Sequence, residues 1–142
     1  ILNPAPASDL PKEFFNYIDY FTPNETEAEF FTGLKITNEN EAKLASKKII
    51  NMGVKKVIIT LGDKGLFYSD GKDDIYLKAT SVKAIDTTGA GDAFNGGLAF
   101  GLLKEKTIKE TLVLANTVAG VSTTKIGAGD SMPFINELKK FN

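Results

Sequence analysis

Apolar and polar residues change their spacing along this chain in a way that separates short strands from helices. Ile1-Leu2-Asn3 reads as the end of a strand, broken by Pro4 and Pro6, which favour extended or turn backbone. Residues 10–17 predict a short helix with Pro11 in its first turn, and residues 19–22 a second short strand ending at Pro23. A helix over 24–32 closes at Gly33, a residue suited to a left-handed cap. Ala42, Leu44, Ala45, Ile49 and Met52 give helical spacing over 38–52, and Gly53 stops it. Residues 55–60 (KKVIIT) form a continuous β-branched run of the kind buried on both faces. Segments 65–69 and 75–78 flank Asp70-Gly71, a hairpin-type pair. A Gly-rich turn over 87–91 leads into predicted helices over 93–103 and 108–124, and a terminal helix over 133–141.

Strands that alternate with helices predict an α/β fold of layered α/β/α type with a largely parallel central sheet, made mixed by the hairpin. Ligands in such sheets bind beyond the carboxyl ends of the strands. Composition narrows the chemistry available there. The chain has 142 residues, 42% of them apolar and 25% charged, ordinary values for one globular domain. A formal net charge of −1, with both signs interspersed, offers no basic stripe for nucleic acid. The apolar runs fall far short of the roughly 20 residues of a membrane span, and no signal peptide is legible. Neither cysteine nor histidine occurs, which removes disulfides, Cys/His zinc sites and any histidine base. Acid–base work then falls to Asp, Glu, Lys or Tyr, and any metal is a hard, oxygen-seeking cation. The opening Ile1-Leu2-Asn3-Pro4, without a methionine, reads as a start inside a larger protein.

The most informative segment is Asp86-Thr87-Thr88-Gly89-Ala90-Gly91-Asp92-Ala93-Phe94. Gly89, Ala90 and Gly91 are small enough for a phosphate to approach the backbone, and the helix that follows directs free N–H groups and its positive end toward it. Asp92 stands at that helix start, where the dipole favours a carboxylate able to accept a proton from an alcohol. An anion cradle beside a proton acceptor is what phosphoryl transfer to a hydroxyl needs. A plain Asp cap on a Gly-rich turn is the alternative reading. The segment is neither a Walker loop, since no Gly-Lys-Ser/Thr follows, nor a G-x-G-x-x-G, since Phe94 replaces the third glycine.

This segment, continued through Asn95-Gly96, resembles throughout the D-T-x-G-A-G-D signature of the ribokinase family, the phosphofructokinase-B type of carbohydrate kinases. The resemblance extends from Leu2-Asn3-Pro4-Ala5-Pro6-Ala7 to Ser131-Met132-Pro133. It implies ATP-dependent phosphorylation of a sugar hydroxyl, D-ribose to ribose 5-phosphate first, with kinases for another sugar or a nucleoside as the alternative. Asp92 would be the general base, and the backbone of Gly89, Ala90, Gly91 and Asp92 the anion hole. Residues 1–142 would be the carboxy-terminal, nucleotide-binding part. The amino-terminal half, with most sugar contacts and the lid, would lie outside them, leaving the isolated piece inactive. The family also implies an enzyme, often a homodimer, acting on a small sugar; the lack of cysteine suits the cytoplasm, and charge and apolar runs point to neither nucleic acid nor membrane as partner.

Further segments carry readings of both kinds. Asn24 and Glu27 have capping-box spacing. They also match the family's N-x-x-E motif, which would organise magnesium, its water and the phosphates. Thr60, Gly62 and Gly65 lie in a Gly-rich loop after the buried strand, either a simple turn or the matching ATP-contacting segment. Asn116 is an ordinary helical polar residue, or matches a position lining the adenine pocket. Residues 122–131 read as a helix connector, or as the family's monovalent-cation loop, usually for potassium. By position that site would take Asp86, Thr88, Ser122, Lys125, Gly127 and Ser131, mostly through main-chain carbonyls, with Glu27 reaching magnesium through water.

Overall fold

A computed structural model describes residues 1–140, and the chain divides into two compact units, the first Ile1–Tyr76 and the second starting at Leu77. In the first unit the strands are β1 (Tyr20–Phe21), β2 (Lys56–Thr60), β3 (Leu66–Ser69) and β4 (Asp74–Leu77), in spatial order β1-β2-β3-β4. β1 runs parallel to β2, with Leu2 bridging Phe21 in parallel on the other side, whereas β2 and β3 are antiparallel. The sheet is thus mixed: parallel where a helical crossover joins the strands and antiparallel where tight turns do.

The crossover consists of α1 (Glu25–Thr32) and α2 (Glu39–Ile50), which pack on each other and on β2. Gly33 ends α1 at φ +67°, as its position predicts. Val57, Ile58 and Ile59 are each 0% exposed, so the apolar run of β2 is covered on both faces. Phe15, Phe21, Ala42, Ala45, Ile49, Val57, Ile59 and Phe67 build the core, with Phe15, Phe21 and Phe31 edge-to-face at 5.2–6.0 Å. The first predicted helix is instead a six-residue 3₁₀ segment, Lys12–Tyr17, in which Phe15 alone is buried. One apolar anchor cannot supply the stripe that a longer α-helix needs.

The second unit is built on α3 (Ala90–Leu103) and α4 (Ile108–Ser122), which make its dominant packing. Thr107 and Glu110 form a capping box that starts α4. Two glycines let the helices approach closely: a Cβ at Gly97 would lie 2.8 Å from the Cα of Ala115, and one at Gly101 2.8 Å from the Thr111 methyl. α3 begins at Ala90, three residues earlier than the spacing predicts, because Gly89 turns the chain at φ +76° and the following residues wind directly into helix. α5 is shorter than predicted, Ile135–Leu138. The end of the predicted terminal helix, Phe141, lies outside the described residues. No helix among the described residues is long and apolar enough to cross a membrane.

Candidate phosphate and nucleotide site residues

In the first unit the predicted residues gather at the carboxyl ends of the parallel pair. Pro23 continues from β1 and accepts the Thr60 N–H at 3.0 Å, and Asn24 pairs with Thr60 as an isolated bridge. Asn24 Oδ1 accepts the Glu27 N–H at 2.8 Å, and Glu27 Oε2 accepts the Asn24 N–H at 2.8 Å. The capping box is therefore complete, and it directs a carboxylate only 8% exposed to the end of the sheet. β2 then runs into a 3₁₀ turn, Gly62–Lys64, closed by Leu61 N–H to Gly65 O at 2.8 Å and Gly65 N–H to Gly62 O at 3.2 Å. Gly62 (φ +55°) has open space where a side chain would be, whereas Gly65 (φ +109°) is buried. Parallel pairing thus brings Asn24, Glu27 and Thr60 together across more than 30 residues of intervening chain, with Gly62 and Gly65 in the adjoining turn.

In the second unit Asp86 organises the Gly-rich turn. Its Oδ1 accepts the Thr88 N–H at 2.9 Å and its Oδ2 the Gly127 N–H at 2.9 Å. The Gly127 N–H first, and then Thr88, hold its carboxyl down to about 2. Asp86 therefore carries a full negative charge at neutral pH. Thr123 O accepts the N–H groups of both Ile85 and Asp86, at 2.7 and 3.1 Å. Gly89 packs so tightly that a Cβ there would lie 3.0 Å from the Ala128 Cβ.

At the head of α3, Ala90 N–H bonds to Thr87 O and Ala93 N–H to Gly89 O. The N–H groups of Gly91 and Asp92 between them meet no acceptor among the described residues. Space beside Gly91 is open, and Asp92 is exposed. Two unsatisfied donors at a helix start, with a carboxylate on the same turn, can hold an anion and accept a proton.

The remaining predicted residues occupy the loop after α4. Ser122 and Ser131 are buried, their hydroxyls donating to Ala119 O and Ala128 O at 2.8 and 2.9 Å. Lys125 sends its ammonium to Glu137 at 2.7 Å, away from the loop backbone. No cluster of three or more His, Cys, Asp or Glu side chains among the described residues could hold a metal. A magnesium ion would therefore rest on one or two carboxylates plus phosphate, its usual arrangement. Asn116 is half-buried in α4 and donates through Nδ2 to Lys78 O at 2.7 Å.

Sequence reasoning missed Thr123, Ala128, Met132 and Glu137. Their roles arise from contacts over 12 to 43 residues of chain, and nothing in their local sequence signals them.

A model of the pfkB family carbohydrate kinases matches residues 1–135. The chain belongs to that family. Among pfkB relatives, the ribokinase of Haemophilus influenzae is 44% identical over 141 residues, which cover 99% of this chain and 46% of the relative. A deoxyribokinase of Salmonella typhi is 32% identical over 142 residues, covering 99% of this chain and 46% of its own length. The structure of Arabidopsis thaliana ribokinase complexed with ribose and ATP superposes with a TM-score of 0.88 at 32% identity, over 94% of this chain and 44% of that one. The α/β fold is thus that of the pfkB kinases, and the chain spans about half the length of the relatives it matches.

Proposed function

We propose that this chain is the carboxy-terminal, nucleotide-binding part of a kinase that transfers the γ-phosphoryl group of ATP to a sugar hydroxyl, D-ribose yielding ribose 5-phosphate. The observation that carries this reading is the head of α3, where the N–H groups of Gly91 and Asp92, unpaired among the described residues, share a turn with the exposed Asp92 carboxylate. Asp92 takes the proton from the attacking hydroxyl as the new P–O bond forms and the bond to ADP breaks. The N–H groups of Gly91 and Asp92 receive the charge on the equatorial phosphoryl oxygens, while that of Ala90, part of the expected cradle, stays on Thr87 O. Asp86, with its two backbone donors, keeps that turn in place.

Asn24 and Glu27 position the polyphosphate, and the 60–65 turn and Asn116 hold the rest of the nucleotide. Glu27 would hold magnesium through water, where it would supply charge neutralisation at the phosphates. The loop with Asp86, Thr88, Ser122, Lys125, Gly127 and Ser131 would hold potassium, mostly through main-chain carbonyls, where it would supply support to the turn.

The test is Asp92→Asn in the full-length protein. Turnover in a ribose-dependent ADP-release assay falls by about 10²–10⁴-fold, the usual share of a general base, while ATP affinity stays within about two-fold. Near-normal turnover would refute the base. Deoxyribose is the second reading, supported by the deoxyribokinase relative. A panel of ribose, deoxyribose, fructose and nucleosides on the same protein decides between them.

A further inference from the structure

Glu137 lies on α5 and belongs to none of the motifs, yet a continuous run of contacts joins it to the head of α3. Its Oε1 pairs with Lys125 at 2.7 Å, and its Oε2 accepts the Phe134 N–H at 2.8 Å, so one carboxylate both starts α5 and grips the loop after α4. Leu138, 5% exposed, anchors α5. Two residues beyond Lys125, the Gly127 N–H binds Asp86, and the next residue, Ala128, presses on Gly89. The loop's other holds lie at its far end, where the buried Ser131 bonds to Ala128 O and the Met132 N–H to Gly129 O, whereas Ile126 is 78% exposed, and Gly129 and Asp130 are exposed.

We propose that Glu137 is a positioning residue for phosphoryl transfer, acting through Lys125 to keep Gly127 and Ala128 seated against the Asp86–Gly89 turn. The inference rests on the kinase reading above. Both partners are partly exposed, at 42% and 36%, so the pair shifts the seated-to-released equilibrium of the loop only modestly, by up to about five-fold. The seated loop serves the anion-binding turn and not the sugar contacts, so the effect falls on kcat and spares the KM for sugar.

The experiment compares Lys125→Met, Glu137→Gln, Glu137→Lys and the exchanged pair K125E/E137K in the full-length protein. Lys125→Met leaves the α5 cap untouched, and Gln at 137 can still accept the Phe134 N–H. Each of these two variants is expected to lower kcat by about two- to five-fold at constant sugar KM. Hydrogen exchange should quicken in peptides covering 86–92 and 125–129 and nowhere else. Lys at 137 cannot accept the Phe134 N–H, so the exchanged pair is compared with Glu137→Lys, which loses the same cap, and should recover from it in both readouts. Unchanged local exchange in Lys125→Met and Glu137→Gln, or an exchanged pair no better than Glu137→Lys, overturns the proposal. If the wild type phosphorylates no sugar, the kinase reading falls while the exchange data still decide whether Glu137 seats the loop.

Discussion

Replacing Gly89 by alanine isolates the contact on which the Gly-rich turn rests. Gly89 sits at φ +76°, where an L-residue with a Cβ loses roughly 1–2 kcal/mol. Its added methyl would also meet the Ala128 Cβ at 3.0 Å, the Ala128 Cα at 3.2 Å and the Met132 Cε at 3.6 Å. Two of the three atoms belong to Ala128, which has no rotamer to yield, so the loop itself must move. Forcing a methyl into such a space costs about 1–3 kcal/mol. The combined loss is about 2–5 kcal/mol. Gly33 supplies the control: it has nearly the same backbone conformation, φ +67°, but nothing within 4 Å of the added methyl. Gly33→Ala should therefore lose only the conformational part, about 1–2 kcal/mol. Urea unfolding of the two variants and the wild type, with each unit followed by hydrogen exchange at fixed denaturant, measures both. Equal losses would mean that Ala128 does not press on Gly89, and the coupling between the loop and the turn would have to be abandoned.

Two further outcomes follow from single groups. Asp86 has its folded value lowered from 3.8 to about 2, so the fold favours its ionised form. Its stabilising contribution is complete above about pH 4 and is lost as the pH falls toward 2. Thermal unfolding across that window should show Asp86→Asn with the shallower decline, and parallel curves would contradict the Gly127 and Thr88 hydrogen bonds. Thr111 is 0% exposed and its hydroxyl has no partner among the described residues, so Thr111→Val should stabilise by up to about 1 kcal/mol. A loss of that size would show that the hydroxyl is bonded after all.

Local chemistry was legible in the sequence wherever neighbours along the chain supply the cause. The capping box of Asn24 and Glu27, the left-handed close at Gly33, the buried run of β2 and the Gly-rich approach to α3 each depend on residues within a few positions of one another. Signature and spacing also singled out Asp86, Gly89, Gly91 and Asp92, because small residues before a helix start are a local arrangement. Where α3 begins was less legible. A glycine reads equally as turn or as first helical turn, and only the chain around Gly89 shows that Ala90 is already helical.

The tertiary structure decided what lies far apart in the chain. Parallel pairing of β1 with β2 sets Asn24 beside Thr60, and the sequence of neither strand encodes that register. The bond from Gly127 to Asp86 spans 41 residues, and the seat of Gly89 on Ala128 and the grip of Glu137 on Lys125 exist only once α3, α4 and α5 have packed. Residue type prescribes which groups can bind phosphate or accept a proton. Packing prescribes which of those groups stay still while it happens.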